Sequence, residues 1–243
     1  RLGFLPPVPR GSNGYRLFNE EHLFCLRLAR TALGGDWPGR DIRRSAAALA
    51  QTAAAGDGDV TLAAARRHLA LIRDELARAE AAAAVLETWP ADKEADPDFR
   101  PLRVKEAAAL LAVSPDMLRN WEKNGLLETA RDPANGYRLY GPVEIARLRV
   151  IRLLIQAGFG VAAILRAFTH LDAGRAGDPR AVLDTPPPEE DIHHATDRWL
   201  TTLADQERRA GEIVALIELT PVACASAPSL PRKRRGRGVG SGF

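Results

Sequence analysis

At residues 104–122 the chain reads VKEAAALLAVSPDMLRNWE, and the predicted architecture follows from this segment. Apolar residues recur at helical spacing from Val104 to Leu111, so a first short helix with one apolar face is expected to end near Ala112. Ser114 is a suitable N-cap for a second helix, because its hydroxyl can accept a hydrogen bond from the free N–H groups of the first turn. Pro115 suits the first helical position, where no hydrogen bond is lost.

The second helix, expected to end near Lys123, must cross the first one steeply because the turn between them is so short. Leu118 and Trp121 then face the first helix, although Trp121 is also a candidate contact residue. The opposite face carries Arg119, Asn120 and Lys123. Two crossed helices with a polar outer face are typical of a helix-turn-helix that reads DNA.

A β-hairpin, or wing, is predicted directly after the second helix. Short extended pieces at Glu128–Arg131 and Tyr137–Tyr140 flank Asn135-Gly136, which is expected to supply the positive φ angles of a tight turn. A third helix is expected from Pro142 to Gly158, and a fourth from Val161 to Phe168. Two arginines of the hairpin are candidate phosphate ligands: Arg131 and Arg138.

Residues 102–168 resemble the winged helix-turn-helix of the mercury-resistance-regulator (MerR) family of bacterial transcription factors. Three motifs in the family's order carry the resemblance: LRNWEKNGLL at 118–127, NGYRLY at 135–140 and Gly158-Phe159. Asn120 departs from the family pattern, which commonly has an aromatic residue at this position.

The resemblance implies a DNA-binding transcriptional regulator with an all-α fold and small β wings, acting at promoter DNA in the bacterial cytoplasm, associated with the nucleoid. Family members bind a pseudo-palindromic operator as pairs and deform the DNA between half-sites, which indirectly changes how RNA polymerase engages the promoter. No cofactor is implied. The DNA-binding candidates in this module are Ser114, Arg119, Asn120, Trp121, Lys123, Arg131, Tyr137, Arg138 and Tyr140.

Length and composition are those of an ordinary globular chain. It has 243 residues, of which 46% are hydrophobic and 27% charged, and its net charge of +3 is compatible with binding to nucleic acid. The apolar runs are too short for a membrane span. The two cysteines, Cys25 and Cys224, do not form a metal-binding pair in the sequence, so no metal site is predicted.

The start of the chain repeats the wing region at a fixed offset of 122 residues. NGYRLF at 13–18 aligns with NGYRLY at 135–140, and eleven identities occur between Arg1 and Arg43. Residues 1–55 therefore resemble a second module without its helix-turn-helix. A fragment, a misplaced gene start or decay of the first module would each explain this, and the start on Arg1 favours truncation. Tyr15 and Arg16 inherit the wing role by this repeat.

Two long amphipathic helices are predicted, at Thr61–Glu87 and Ile192–Leu219, each with apolar residues at coiled-coil spacing. We expect them to pair antiparallel within one chain as a pseudo-dimer, with an ordinary homodimer as the alternative. The predicted organisation is a partial module at 1–55, a coiled-coil helix at 60–89, a linker at 90–101, a complete winged helix-turn-helix module at 102–171, a linker rather than a helix at 172–191, a coiled-coil helix at 192–219 and a disordered basic tail at 220–243.

Other functions receive less support from the sequence. A protein-interaction module whose winged helix no longer binds DNA is one alternative, and a small-molecule sensor lined by the residues 38–55 and by Trp37, Trp89 and Trp199 is another. His193 and His194 point about 100° apart on a helix, so chelation of a metal is not expected. The sequence contains no nucleophile–base pair and no phosphate-binding glycine loop, so an enzyme is not expected.

Overall fold

The computed structural model of the protein describes residues 2–36, 38–89, 99–186 and 195–220. Within these ranges the chain is mostly helical and has one two-stranded antiparallel sheet, in agreement with the predicted all-α fold with a small wing. The elements in chain order are α1 (Glu20–Leu33), α2 (Arg40–Ala54), α3 (Gly58–Thr88), α4 (Val104–Leu110), α5 (Pro115–Lys123), β1 (Ala130–Arg131), β2 (Arg138–Leu139), α6 (Pro142–Gln156), α7 (Val161–Asp172), α8 (Pro179–Asp184), a 3-10 turn (Ala195–Arg198) and α9 (Trp199–Leu219).

Several predicted features lie outside the described residues. They are most of the linker at 90–101, the paired histidines at 193 and 194, Trp37, and the basic tail beyond residue 220 together with Cys224.

Helices α4 and α5 form the predicted helix-turn-helix. Ala112 in the turn between them has a φ of 49°, and the Ser114 hydroxyl accepts a hydrogen bond from the Met117 backbone N–H at 3.1 Å. Leu118 and Trp121 are buried against the first helix. The N-cap therefore fixes where α5 begins, and the apolar face of α5 fixes how it packs.

The wing follows α5 as predicted, with shorter strands. Arg131 pairs with Arg138 across the sheet, and the carbonyl of Asp132 accepts from the Gly136 N–H at 2.8 Å. The prediction that both residues of Asn135-Gly136 have positive φ was wrong, since only Gly136 does, at 73°. The Asn135 side chain instead accepts a hydrogen bond from the Tyr137 N–H at 3.0 Å and so closes the turn.

The long helices α3 and α9 lie against each other in opposite directions. Arg66 pairs with Glu218 at 2.9 Å, and Arg73, further along α3, pairs with Glu207, earlier in α9, at 2.7 Å. These exposed ion pairs contribute little by themselves. The residues of the two predicted coiled-coil seams are buried or half-buried between the helices and their neighbours. They are Leu62, Ala65, Leu69, Ile72, Leu76, Ala79, Ala83 and Leu86 on α3, and Trp199, Leu203, Gln206, Ala210, Ile213 and Ile217 on α9.

Helix α9 begins at Trp199, later than the predicted start at Ile192. The Asp184 carboxylate accepts hydrogen bonds from the Leu200 N–H at 2.8 Å and from the Thr201 N–H at 3.0 Å. These are free donors of the first helical turn, so a side chain from α8 caps α9. Residues 195–198, including the half-buried Thr196 of the predicted seam, form the 3-10 turn.

The prediction that residues 172–191 contain no helix was wrong. Asp178 accepts from the Arg180 N–H at 2.8 Å and caps α8, and Pro179 occupies its first turn. Leu183 is fully buried in the main core, so packing stabilises a helix too short to form alone. The Gly and Pro residues of this segment favour a loop by their local preferences, and here the capping and burial outweigh them.

Residues 123–165 contain the wing and are the second copy of the sequence repeat, and we call them the second winged region. The N-terminal region repeats local features of this region at the same spacing as the sequence repeat. Helix α1 begins at residue 20 and α6 at residue 142, a difference of 122. Gly3 and Gly125 have φ values of 72° and 76°, and Gly14 and Gly136 have values of 80° and 73°. Helices α1 and α2 share a second, smaller core with the start of α3 and the end of α9.

Candidate nucleic-acid interface

The exposed face of α5 carries Arg119, Asn120 and Lys123, as predicted from the helical spacing. Arg119 donates to the Asp116 carboxylate at 2.5 Å on the same face. An exposed ion pair between residues three positions apart is weak, because water screens both charges. Arg119 can therefore exchange this partner for a base edge or a phosphate at small cost.

Glu122 joins α5 to the wing. Its carboxylate accepts a short hydrogen bond from the Arg138 Nε and a second one from the Thr129 hydroxyl at 3.0 Å. Arg138 and Glu122 are both partly buried, so water screens this pair less than the pairs on the surface. The wing is thereby held in a fixed orientation relative to α5.

Three further side chains lie at or near the wing. Arg131 donates to the Gly136 carbonyl at 3.1 Å across the hairpin, and Tyr137 is exposed. The Arg103 guanidinium lies 5.4 Å from the centre of the Tyr137 ring, within the range of a cation–π contact. Arg103 and Glu122 could not be identified from the sequence, because their importance depends on contacts between separate elements.

Trp121 and Tyr140, which the sequence offers as DNA-contact candidates, are both buried in the core, where their side chains pack. Among the described residues the Tyr140 hydroxyl has no hydrogen-bond partner, and burial raises the pKa of this phenol. Both aromatic rings have large apolar faces, and they lie in a core cluster that also contains side chains of α4 and α6.

Ser114 is exposed at the start of α5, where its hydroxyl accepts the capping hydrogen bond. The positive end of a helix dipole suits a phosphate, so Ser114 remains compatible with the predicted contact. Tyr15 and Arg16 are exposed on the N-terminal turn, beside Arg10, which donates to the Gly14 carbonyl at 2.7 Å. No hydrogen bond, ion pair or ring contact joins Tyr15 or Arg16 to α5 or the wing in the part of the chain that is described.

Cys25 is buried, as predicted for a small hydrophobic residue, and its thiol donates to the Ala53 carbonyl at 3.6 Å. Burial, and secondarily the negative charge of Glu21, raises the pKa of this thiol. Across the described ranges no group of three or more His, Cys, Asp or Glu side chains is arranged to hold a metal ion. No helix within those ranges is long and apolar enough to cross a membrane.

Two of the three tryptophans proposed as a ligand pocket are engaged in packing. The Trp199 indole N–H donates to the Ala157 carbonyl at 2.7 Å, and its ring closes over the turn between α6 and α7. Trp89 packs edge-to-face on Phe168 at 5.5 Å between ring centres. A cavity of about 260 Å³ near Arg147 is lined by Gly125, Leu127, Glu128, Val143, Glu144, Arg147 and Asp172, and contains no tryptophan.

The region that contains the helix-turn-helix and the wing is similar to known proteins. Residues 102–171 match the family described as "MerR HTH family regulatory protein". A "Probable heavy metal-dependent transcriptional regulator" of Haemophilus influenzae is 36% identical over 71 residues, which cover 29% of this chain and 56% of the relative. "HTH-type transcriptional regulator ZntR" of Escherichia coli K12 is 36% identical over 62 residues, covering 26% and 44% respectively.

The chain thus spans about half the length of the curated relatives it matches. No solved structure gives a significant match. Both relatives are named as transcriptional regulators. Residues 102–171 are thus similar to the helix-turn-helix region of MerR-type regulators.

Proposed function

We propose that this protein is a sequence-specific DNA-binding transcriptional regulator of the MerR type that acts at promoter DNA. The observation that carries the proposal is the hydrogen bonding of Glu122 to Arg138 and Thr129, which joins α5 and the wing into one unit. A helix that reads base edges needs its phosphate contacts at a fixed distance, because those contacts set its register on the duplex. The family match over the same residues supports the same conclusion.

Within this unit the exposed residues have different roles. Arg119 is placed to contact a base edge, since it lies on the outer face of α5 and its guanidinium can bond a guanine through two N–H groups. Lys123, Arg131 and Arg103 are exposed on α5, on the wing and beside the wing, and they are the proposed phosphate contacts. Asn120 and Tyr137 add polar contacts at the edge of the same surface.

The arrangement of the two long helices supports an intramolecular pseudo-dimer. Helix α3 follows the first module and packs on α2 of that module and also on α6 of the second, while α9 follows the second module and packs on α1 of the first. This crosswise packing relates two modules through an antiparallel helix pair, as an operator with two half-sites requires. Two reading heads at fixed separation would deform the DNA between half-sites and so alter the engagement of RNA polymerase. A homodimer is the alternative assembly.

One relative is named as a heavy metal-dependent regulator, and we propose no such dependence for this chain. The match to that relative covers 71 residues, and the family match ends at residue 171. Cys25 and Cys224 both lie outside the family match.

Selection from a random duplex library, followed by titration of the selected duplex at several salt concentrations, tests the proposal. We expect one sequence motif to be enriched and its affinity to fall steeply with salt, because phosphate contacts release counterions. Enrichment of no motif would contradict sequence-specific reading. A selected duplex whose affinity does not depend on salt would favour the protein-interaction alternative.

A further inference from the structure

The outer face of α1 exposes large apolar side chains, and we define the α1 face by Phe18, Leu23 and Leu26. Leu23 and Leu26 are three residues apart and therefore lie on the same side of the helix. The Phe18 ring packs edge-to-face on His22 in the first turn of α1, at 5.7 Å between ring centres. A cluster of exposed apolar residues on one face commonly marks a contact surface.

The equivalent residues of the second winged region are buried. Leu23 is 40% exposed, whereas Ile145, 122 residues later, is 2% exposed. Leu26 is 44% exposed and Leu148 0%, and Phe18 is 54% exposed and Tyr140 0%. The residue types are similar at each pair, so the difference lies in what covers them.

In the second winged region the equivalent residues share one core with side chains of α4 and α5. Tyr140, Ile145 and Leu148 belong to the same core cluster as the inward side chains of the two helices. Those side chains are Ala107, Ala108 and Leu111 of α4 and Leu118 and Trp121 of α5. In the first region, residues 2–19 form a turn and extended backbone, and no helix lies before α1 in that range.

We propose that the α1 face is the docking surface of a helix-turn-helix unit of the α4–α5 type, with small residues and a leucine on one helix and a leucine and a tryptophan on the other. The proposal rests on the tandem-module part of the proposed function. It adds that the first module binds a second reading head, so that a complete assembly reads two half-sites.

The backbone beside the α1 face favours a helix pair over other occupants. In the second winged region, Gly125 comes directly after α5 and turns the chain into the core with a φ of 76°. Gly3 has a φ of 72° at the equivalent position. Phe4 and Leu5 follow it and are half-buried, whereas the equivalent Leu126 and Leu127 are fully buried. The turn that receives the end of a helix is thus already formed at the N-terminal region.

A grafted chain tests the proposal, with a copy of residues 102–122 fused directly before Arg1. Glu122 of the copy then precedes Arg1 as Glu122 precedes Lys123 in the chain, so the register is that of the second winged region. We expect a higher Tm, less fluorescence of an apolar dye, and slower hydrogen exchange along α1. A graft that leaves all three measurements unchanged would overturn the proposal.

Two controls distinguish docking from a general effect of the added residues. A graft carrying Leu118→Asp and Trp121→Asp in the copy has the same length but lacks the apolar faces, and should give no gain. Leu23→Glu with Leu26→Glu affects only exposed positions, so it should leave the Tm of the ungrafted chain unchanged and abolish the gain from the graft. Gains that survive either control would contradict the specific interface.

A second copy of the chain is the competing occupant. If the ungrafted chain self-associates and Leu23→Glu with Leu26→Glu prevents this, a second copy covers the face and the proposal is overturned. None of these measurements contains DNA. A failure of DNA binding is therefore distinguishable from a failure of docking.

Discussion

Among single residues, Glu122 has the least obvious role at the interface, because its negative charge lies on a helix proposed to approach DNA. Simple electrostatics predicts that removing such a charge strengthens DNA binding. The contacts predict the reverse, since the Glu122 carboxylate holds Arg138 and Thr129 in place. Asp116 provides a matched comparison, because its carboxylate is exposed on the same helix and is paired with Arg119.

We therefore expect Glu122→Ala to weaken DNA binding by about tenfold, or about 1.4 kcal/mol, while Asp116→Ala leaves it unchanged or strengthens it. Arg138→Ala should weaken binding to all sequences alike, for the same positional reason and through loss of its own charge. Titrations of each variant on matched and mismatched duplexes give the comparison. Equal effects of Glu122→Ala and Asp116→Ala would show that charge alone matters.

Arg119→Ala should relax base preference at one position of the operator, at a cost of about 1 to 3 kcal/mol on the preferred sequence. Binding to a mismatched duplex should change far less, since the lost contact is to a base edge. Arg67→Ala removes the same charge from an exposed position on α3 and serves as the control. A uniform loss across all sequences would instead assign Arg119 to a phosphate.

Tyr140→Phe should leave DNA affinity unchanged and should not destabilise the fold. The Tyr140 hydroxyl is buried without a hydrogen-bond partner among the described residues, and such burial costs about 1 to 3 kcal/mol. The first region already has Phe18 at the equivalent position. Thermal unfolding should show an equal or higher Tm, and a marked fall would reveal a hydrogen bond of this hydroxyl.

Between elements, the contact of α2 with α3 contains a buried titratable group. His68 on α3 lies 3.0 Å from the Ser45 hydroxyl of α2, and burial lowers the pKa of His68 from 6.5 to about 4. The folded state therefore favours the neutral imidazole. Below pH 6.5 the unfolded chain takes up a proton that the folded chain accepts only near pH 4.

Stability from this group is thus fully present above pH 6.5 and is lost as the pH falls towards about 4. The loss is on the order of 3 kcal/mol. Urea unfolding across this range should show a decrease in the wild-type chain that is smaller in His68→Gln, which keeps a hydrogen-bonding side chain. Identical pH dependence in the two chains would show that His68 does not determine it.

The elements that the sequence predicted best are those whose signals are local. Ser114 and Pro115 mark the start of α5 through cap chemistry, and the spacing of apolar residues along α3 reports which side is buried. Helix α8 was missed because its stability comes from the burial of Leu183 and from Asp178, while the surrounding Gly and Pro residues indicated a loop. Local patterns are weak where tertiary packing supplies the stability.

The candidate interface was predicted in part for the same reason. Helical spacing correctly predicted that Arg119 and Lys123 are exposed. The burial of Tyr140 could not be predicted from its residue type, because tyrosine occurs both on surfaces and in cores. The pairing of Glu122 with Arg138 joins residues sixteen positions apart and depends on how the wing folds back on α5. The exposed α1 face has the same apolar spacing as a buried one, so only the structure distinguishes them.

For the whole molecule, the antiparallel contact of α3 with α9 links two helical cores. The main core includes Ile72 and Leu86 of α3 with Leu203 of α9, and the smaller core includes Ala65 of α3 with Ile213 of α9. Each long helix therefore contributes to both cores. Separating α3 from α9 would expose apolar residues in both, which favours keeping the pair together at all concentrations.

This packing leads to a prediction about mass. Within one chain the partner helix is tethered, so the pairing of α3 with α9 does not depend on the concentration of free chains. Sedimentation or light scattering from micromolar to nanomolar concentration should therefore give a constant mass near 26.4 kDa. Leu203→Asp, which places a charge in the α3–α9 seam, should lower the Tm of the chain without a concentration-dependent step. A stable dimer mass across the same range would instead assign α3 and α9 to partners in different chains, as in a homodimer.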